Sequence, residues 1–439
     1  MNNKREYQEE NKMKKWLSAL TLMSVMLTGC GNGSQVTTEE TSTSNIGGTL
    51  TVVTGRTDAD ELYAKIEADF IARYPEVTDI IWESSTDYDT YITTRMNTTD
   101  YGDVLLVPFS MAGTPEMYAN YFEPLGTVEE LEAAYLDVTE ADYDGIAYGL
   151  PTALNSLGII YNAEVFKEAG ITEEPTTIDE LLDACHKIKD NTDATPFFTN
   201  YNGVAMWVGT LTSFGGEQYR ADMLEKGTAF QEGQPIRVVM DLFHELASKG
   251  YTEADPVTMD AAQGKQLLAE GKIAMMMSGS QHVKPIGELA ENPDMIKIAA
   301  LPAADGGKPS VPLGAPEVMG INVNSTNKET AKAFLEFFIS AESGYADDLG
   351  GITPVKADFT EEQKTLFENS KTVLTASSES GEVEALYSNI ANEVGIGRLT
   401  DLLQQVVNIG LYPDQHESYD SYVDQMESKW AQAAEQYAK

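Results

Sequence analysis

The chain has 439 residues, with 29 Lys and Arg against 70 Asp and Glu, a formal net charge of −41, 42% hydrophobic residues and two cysteines. The apolar fraction is enough for a sizeable packed core, so bulk disorder is excluded despite the charge. The acidic balance argues against nucleic acid as a partner, since phosphate backbones need a basic face; two cysteines and four scattered histidines argue against a disulfide framework and a Cys- or His-based metal centre.

Residues 13–30 read MKKWLSALTLMSVMLTGC. Lys14 and Lys15 precede an apolar run from Trp16 to Leu27. That run is shorter than the ~20 residues needed to span a bilayer, so residues 1–29 read as an export signal. Leu27-Thr28-Gly29-Cys30 resembles a lipobox, which implies cleavage before Cys30 and a lipid on its sulfur. An ordinary signal with a chance cysteine is the alternative. Glu6, Glu9 and Glu10 are foreign to a positive leader, so Met13 competes with Met1 as the start. Removing residues 1–29 takes away five bases and three acids and leaves a formal charge of −43. Residues 30–47, rich in Ser, Thr, Gly and Glu, read as an anchor cysteine and a flexible tether.

From there strands and helices alternate. Thr49–Val53 is a β-branched strand, and a helix follows from Asp58 to Tyr74, with Leu62, Ile66 and Phe70 on one face and Pro75 as its stop. Val77–Trp82 is a second strand, residues 86–98 a second helix, and Asp103–Val107 a third strand whose unbroken apolar run suits burial on both faces. This order is the α/β signature. Leu157–Tyr161 is a strand, and Asn162 caps a short helix ending at Gly170. Thr177 and Glu180 form a capping box. Ile178, Leu181, Cys185 and Ile188 share the next helical face, which makes Cys185 a core thiol rather than a nucleophile. Helices follow at 235–248 and 258–270, then the strand Ile273–Met277, whose triple Met reads as packing. Asn327 caps a helix over 328–340, and residues 383–439 are mostly helical with a break at Gly410–Pro413. Gly145–Pro151 and Ala303–Pro312 are the Gly/Pro-rich boundary candidates.

Local catalytic motifs are absent. No Gly-x-Ser-x-Gly occurs, and Gly264-Lys265, Gly271-Lys272 and Gly307-Lys308 lack the first glycine of a P-loop. There is no His-Glu-x-x-His, and the four histidines stand in unrelated segments. Asp142-Tyr143-Asp144-Gly145 is a fragment of a calcium loop without its Glu at the twelfth position, and reads as a turn. With so many acids, paired carboxylates carry no information.

Five ordered stretches carry a family resemblance: residues 48–77, 103–125, 148–189, 270–280 and 329–355. The most specific is YGLPTALNSLGIIYNAEVFKEAGIT followed by PTTIDELLDACHKIK. Together they resemble the extracellular solute-binding proteins of carbohydrate ABC importers, the family that includes maltose-binding protein, over nearly the whole chain after the tether. The resemblance implies an α/β protein of the type II periplasmic-binding-protein fold. Its two lobes, each a mainly parallel sheet flanked by helices, would close about a hinge on a cleft. Lobe 1 would take 48–154 plus 314–352 and lobe 2 155–313 plus 353–439. It implies a non-enzymatic protein, without cofactor or metal, that captures a sugar or oligosaccharide and delivers it to a membrane permease. The protein would be a monomer, lipid-anchored at the outer face of the cytoplasmic membrane. A surface hydrolase or lyase, and the same fold with a non-sugar solute, are the competing readings.

A sugar cleft mixes aromatic planes for ring C–H groups with polar side chains for hydroxyls. On the family pattern Arg56 and Asp58 sit at a polar contact position, Asp58 competing with a role as helix N-cap. Glu83 follows the second strand beside Trp82, which faces either core or cleft, and Phe109 is either a stacking aromatic or core. Asn155 stands at the hinge where maltose-binding protein has a carboxylate. Asn200, Tyr201 and Trp207 occupy the region of aromatic platforms, Trp207 stacking on ligand or buried in core. Ser280 and Gln281 complete the set, Gln281 where a Trp is common, and Glu317 is either a hydroxyl acceptor or a solvated acid. Arg56 alone is a thin supply of positive charge, so the expectation is a neutral sugar.

Overall fold

The computed structural model describes residues 45–200, 204–256, 258–304, 306–375, 379–397 and 399–437, with the backbone alone for 204–208. The expected signal, Cys30, most of the tether, and Tyr201 lie outside the described residues, as does the side chain of Trp207. Among the described residues, no helix is long and apolar enough to cross a membrane.

In chain order the strands are β1 (Gly48–Thr54), β2 (Val77–Ser84), β3 (Val104–Leu106), β4 (Gly126–Thr127), β5 (Asp142–Tyr143), β6 (Ile146–Ala147), β7 (Gly149–Pro151), β8 (Asn155–Asn162), β9 (Thr195–Phe198), β10 (Ile273–Gly279), β11 (Ile296–Ala299), β12 (Ser310–Gly314), β13 (Val318–Ile321) and β14 (Lys371–Leu374). They form two main sheets. One has the order β2-β1-β3-β13-β7. The other has the order β14-β12-β8-β10-β9, with β11 also paired to β8. A small sheet β4-β6-β5 stands apart.

The first sheet is buried on both faces. Leu50, Val52, Val104 and Leu106 point to one core with Ile66 and Phe70 of the helix Asp60–Arg73 and Phe334 and Phe338 of the helix Lys328–Phe338. Val53 and Leu105 point to the other with Ile92, Tyr101 and Phe122, the strict alternation of a pleated strand. Trp82 belongs to the first of these cores: it stacks on Tyr63 at 4.2 Å between ring centroids and meets Phe334 edge-on. The second sheet is likewise double-faced. Leu157, Ile159, Met275 and Met277 face the larger core with Cys185 and Trp430, while Ile160, Met276 and Phe198 face the other way. Cys185 is fully buried, and burial pushes its thiol up out of the reactive range. The C-terminal helix Tyr419–Tyr437 is held by Trp430, the largest fully buried side chain.

The α/β class agrees with the sequence reading, but the sheets are mixed rather than mainly parallel. β1 is parallel to β2 and β3, whereas β13 runs antiparallel to both β3 and β7. In the second sheet β9–β10 and β12–β14 are parallel, and β8 is antiparallel to β10, β11 and β12. The reason is the crossing of the chain. It leaves the first sheet at Pro151 and starts β8 at Asn155; it leaves β12 at Gly314 and re-enters the first sheet at Val318. A strand arriving from the other sheet enters from the opposite end. A third strip runs alongside, where Leu154 and Ile352 exchange both backbone hydrogen bonds at 2.8 Å.

Several local expectations change in detail. The Thr177 hydroxyl accepts from the Glu180 N–H at 3.2 Å, but the Glu180 carboxylate reaches one residue further back, to the N–H and hydroxyl of Thr176. Asn327 takes the N-cap position as expected but makes no capping bond; its side-chain amide donates to the Gly47 and Thr49 carbonyls and ties β1 to the helix Lys328–Phe338. Asp144 and Gly145 have φ of 53° and 75° and make the tight turn between β5 and β6, as the turn reading of Asp142–Gly145 requires.

Candidate functional site

A cleft of about 500 Å³ lies where the chain crosses from one sheet to the other. Three strand ends frame it: Asn155–Leu157 opening β8, Ser278 and Gly279 closing β10, and Pro312 and Gly314 closing β12. Register puts them side by side, since Gly314 pairs with Asn155 and Gly279 with Leu157. The loop Gly314–Pro316 forms one wall, and Ala261 and Lys265, one turn apart on the helix Ala261–Ala269, form another. Carboxyl ends of strands at a change of strand order are where open α/β sheets bind solutes.

Of the sequence candidates, three line this cleft. Asn155 and Gln281 each present a buried side-chain carbonyl oxygen with no hydrogen-bond partner among the described residues. A buried acceptor left open is costly, and both stand on residues that line the cleft. Asn200 adopts a left-handed backbone, φ 45°, a conformation asparagine tolerates. Its amide donates to the Met277 carbonyl at 3.1 Å, which fixes the side chain at the cleft wall. Ser280 stands just behind: it is buried, and its hydroxyl accepts from the Ser156 N–H at 3.1 Å, pinning β8 to the turn after β10.

The first-sheet candidates gather beyond the carboxyl ends of β1, β2 and β3, outside the lining of this cleft. Arg56 binds Asp348 at 3.0 Å and Asp58 at 3.3 Å, with its guanidinium 5.7 Å from the centre of the Tyr345 ring. Burial works against its charge, but the hydrogen bond to Asp348 and the charges around it raise its pKa above the ordinary value. Asp58 is therefore an ion-pair partner and not a helix cap: the N-cap is Ala59, and Asp58 is well exposed. Glu317 is no solvated acid either. Its carboxylate accepts from the Tyr345 hydroxyl at 2.7 Å, and burial raises its pKa despite that bond. Glu83 is taken up by Arg95 and by the Tyr91 hydroxyl, the latter at 2.9 Å. Phe109 corrects the core alternative outright: its side chain is 87% exposed, because Asp89 accepts both the Phe109 and Ser110 N–H groups and turns the segment outward.

Two titratable residues of the cleft escape the sequence reading. His282 donates to or accepts from the Ser278 hydroxyl through Nδ1 at 2.8 Å, and its pKa is pushed down to about 4 by burial and then by Lys265. Lys265 is lowered by burial. Its position follows from the residue before it: a Cβ on Gly264 would lie 2.2 Å from the Phe198 ring, so only glycine lets this helix settle onto the end of β9. In the sequence this pair reads only as a P-loop fragment, Gly264-Lys265. Among the described residues no group of three or more His, Cys, Asp or Glu is placed to hold a metal ion.

Comparison with known proteins follows the same lines. The family described as bacterial extracellular solute-binding protein matches residues 55–345. A binding protein of an ABC transporter from Bifidobacterium animalis subsp. lactis, solved with mannobiose, is 25% identical, covers 90% of this chain and 96% of its own, and superposes with a TM-score of 0.63. A manno-oligosaccharide-specific solute-binding protein from the same organism, solved with mannotriose, is 27% identical with a TM-score of 0.61 and the same coverage. The melibiose/raffinose/stachyose-binding protein of Bacillus subtilis is 23% identical over 77% of this chain and 81% of its own length. Putative binding proteins of Brucella are 25% identical over 242 residues, a match that spans only 56% of their length. The likeness in fold is that of type II periplasmic binding proteins.

Proposed function

The chain belongs to the bacterial extracellular solute-binding proteins, and from that premise we propose that it is the sugar-capturing component of an ABC importer. The observation that carries the reading is the cleft itself: about 500 Å³ at the ends of β8, β10 and β12, with Asn155 and Gln281 in its lining and their side-chain carbonyls unpartnered among the described residues. Sugar hydroxyls are the donors such acceptors lack, and the volume suits a small oligosaccharide. The mannobiose and mannotriose complexes of the Bifidobacterium relatives support this ligand class. The protein binds and releases its ligand without chemistry and hands it to a permease. It works as a monomer.

The lobes of this reading are 48–154 plus 314–352 and 155–313 plus 353–439. The sheet membership of β1–β3, β7 and β13 on one side, and of β8–β12 and β14 on the other, supports the division. Export under residues 1–29 and lipidation at Cys30 would hold the protein at the outer face of the cytoplasmic membrane; anchoring of that kind is stable with more than one acyl chain. Thermal melting against a panel of mono- and oligosaccharides tests the capture. A ligand at 100 times its Kd adds ~2.7 kcal/mol of stability, and a panel without any shift overturns the reading.

A further inference from the structure

The charge of the cleft is the reverse of the charge of the chain. The protein carries 70 acidic and 29 basic residues, yet no carboxylate lines the cleft among the described residues, and Lys265 does. Some described lysines are ion-paired, as Lys187 is to Asp183, Lys249 to Glu245 and Lys328 to Glu123, while others such as Lys297 and Lys371 have no ion pair among the described residues. Lys265 has neither an ion pair nor a hydrogen bond among the described residues, and no nearby acid raises its pKa; burial alone acts on it, downward. His282 stands close enough for the Lys265 charge to bear on it, and the other polar groups of the wall are neutral amides and hydroxyls.

An ammonium partly withdrawn from water without a counter-charge is unfavourable. Lys265 combines that partial burial with a place in the lining of the cleft, where a solute can reach it. We propose that the ligand supplies the counter-charge: the cleft takes a sugar bearing an anionic substituent, with Lys265 as its charge partner and the Asn155 and Gln281 amides on neighbouring hydroxyls. This rests on the sugar-capture reading above and replaces the neutral sugar expected from the sequence. The overall charge of −41 does not oppose it, because at physiological salt charges beyond ~8 Å are largely screened and the local cation decides.

The test is calorimetric titration with matched disaccharides: mannobiose, galactobiose and cellobiose, the uronic-acid counterpart of each, and their sulfate and phosphate esters. At least one anionic member should bind tenfold or more tighter than its neutral counterpart. Raising salt from 20 to 300 mM should shrink that ratio severalfold. The ester arms identify which anion is preferred. Lys265→Gln should collapse the anionic-to-neutral ratio toward one, and Lys265→Arg should keep it; unliganded melting curves of both variants verify folding. Binding of neutral members with no anionic preference, or an equal loss of both by Lys265→Gln, leaves sugar capture standing and overturns this inference. Absence of binding in every arm overturns both.

Discussion

Asp137 offers the sharpest test of the energetics. Its side chain is buried, its residue only 4% exposed, and neither carboxylate oxygen finds a hydrogen-bond partner. Glu140 lies beside it, and the Ala315 amide is near both without the alignment of a hydrogen bond. Burial first, and the Glu140 charge second, push the Asp137 pKa up to about 8. The folded state therefore binds a proton that the unfolded chain releases near pH 4. The contribution to stability is fully present below the unfolded pKa and is lost as pH rises through the folded one. The slope approaches 1.4 kcal/mol per pH unit, so about 2 to 3 kcal/mol is lost between pH 5 and pH 7. Asp137→Asn removes the ionisation. It also suits the backbone, because Asp137 has φ 57°, a left-handed conformation that asparagine adopts readily. Urea unfolding of both proteins at half-unit steps from pH 5 to pH 8 measures the difference, which reports on the Asp137–Glu140 pair because each carboxyl bears on the other. The variant should gain on the parent steadily with pH. Parallel stability curves would refute the reasoning, showing that the pair is hydrated and ionised.

Two further substitutions test the framework around the site. Glu379 has a fully buried side chain that binds Arg220 at 3.1 Å and the Ala221 N–H at 2.7 Å. Glu379→Ala should cost about 3–5 kcal/mol by leaving the guanidinium without its charge partner, and Glu379→Gln distinctly less; equal and small losses in urea unfolding would show the pair to be solvated. Gly350 has φ 65°, and a Cβ there would lie 3.0 Å from the Gln281 Cα. Gly350→Ala should lose ~1–2 kcal/mol to backbone strain and weaken ligand binding by displacing Gln281. Unchanged affinity would separate Gln281 from the ligand.

What could be read from the sequence was local. β1 and β3 announce themselves as β-branched or apolar runs, and Asn162 caps its helix as expected, accepting from the Glu164 N–H at 3.0 Å. Such signals need only neighbours along the chain. The mixed sheets were hidden because the pairing of β13 with β3 joins residues more than two hundred apart, and no periodicity encodes direction. The same limit governed the site. Asn155, Asn200 and Gln281 were found through the pattern around them, while Lys265 reaches the cleft through Gly264 packing on Phe198, a contact between distant segments. Asp58 fits an N-cap in sequence, but Arg56 offers it a stronger partner two residues away.

The loop from Gly314 to Glu317 joins these separate observations physically. Gly314, Ala315 and Pro316 line the cleft, the Ala315 amide faces the Asp137–Glu140 carboxyls, and the Glu317 carboxylate holds Tyr345 beside Arg56. The Glu317 carbonyl also accepts from the Thr152 N–H at 3.0 Å, so the two crossings of the chain are bonded to each other. The Leu154–Ile352 strip runs beside them as a third connection between the sheets. The Asp137 carboxyl lies against the loop that joins β12 to β13. A group that affects two states of a hinge equally shifts nothing between them, and only a difference in its surroundings couples the two. If the carboxyl pair is hydrated more fully in one arrangement of the lobes, ligand binding takes up or releases a fraction of a proton near neutral pH. Titration calorimetry in buffers of different ionisation enthalpy reads that fraction directly, and its loss in Asp137→Asn would assign it to this pair.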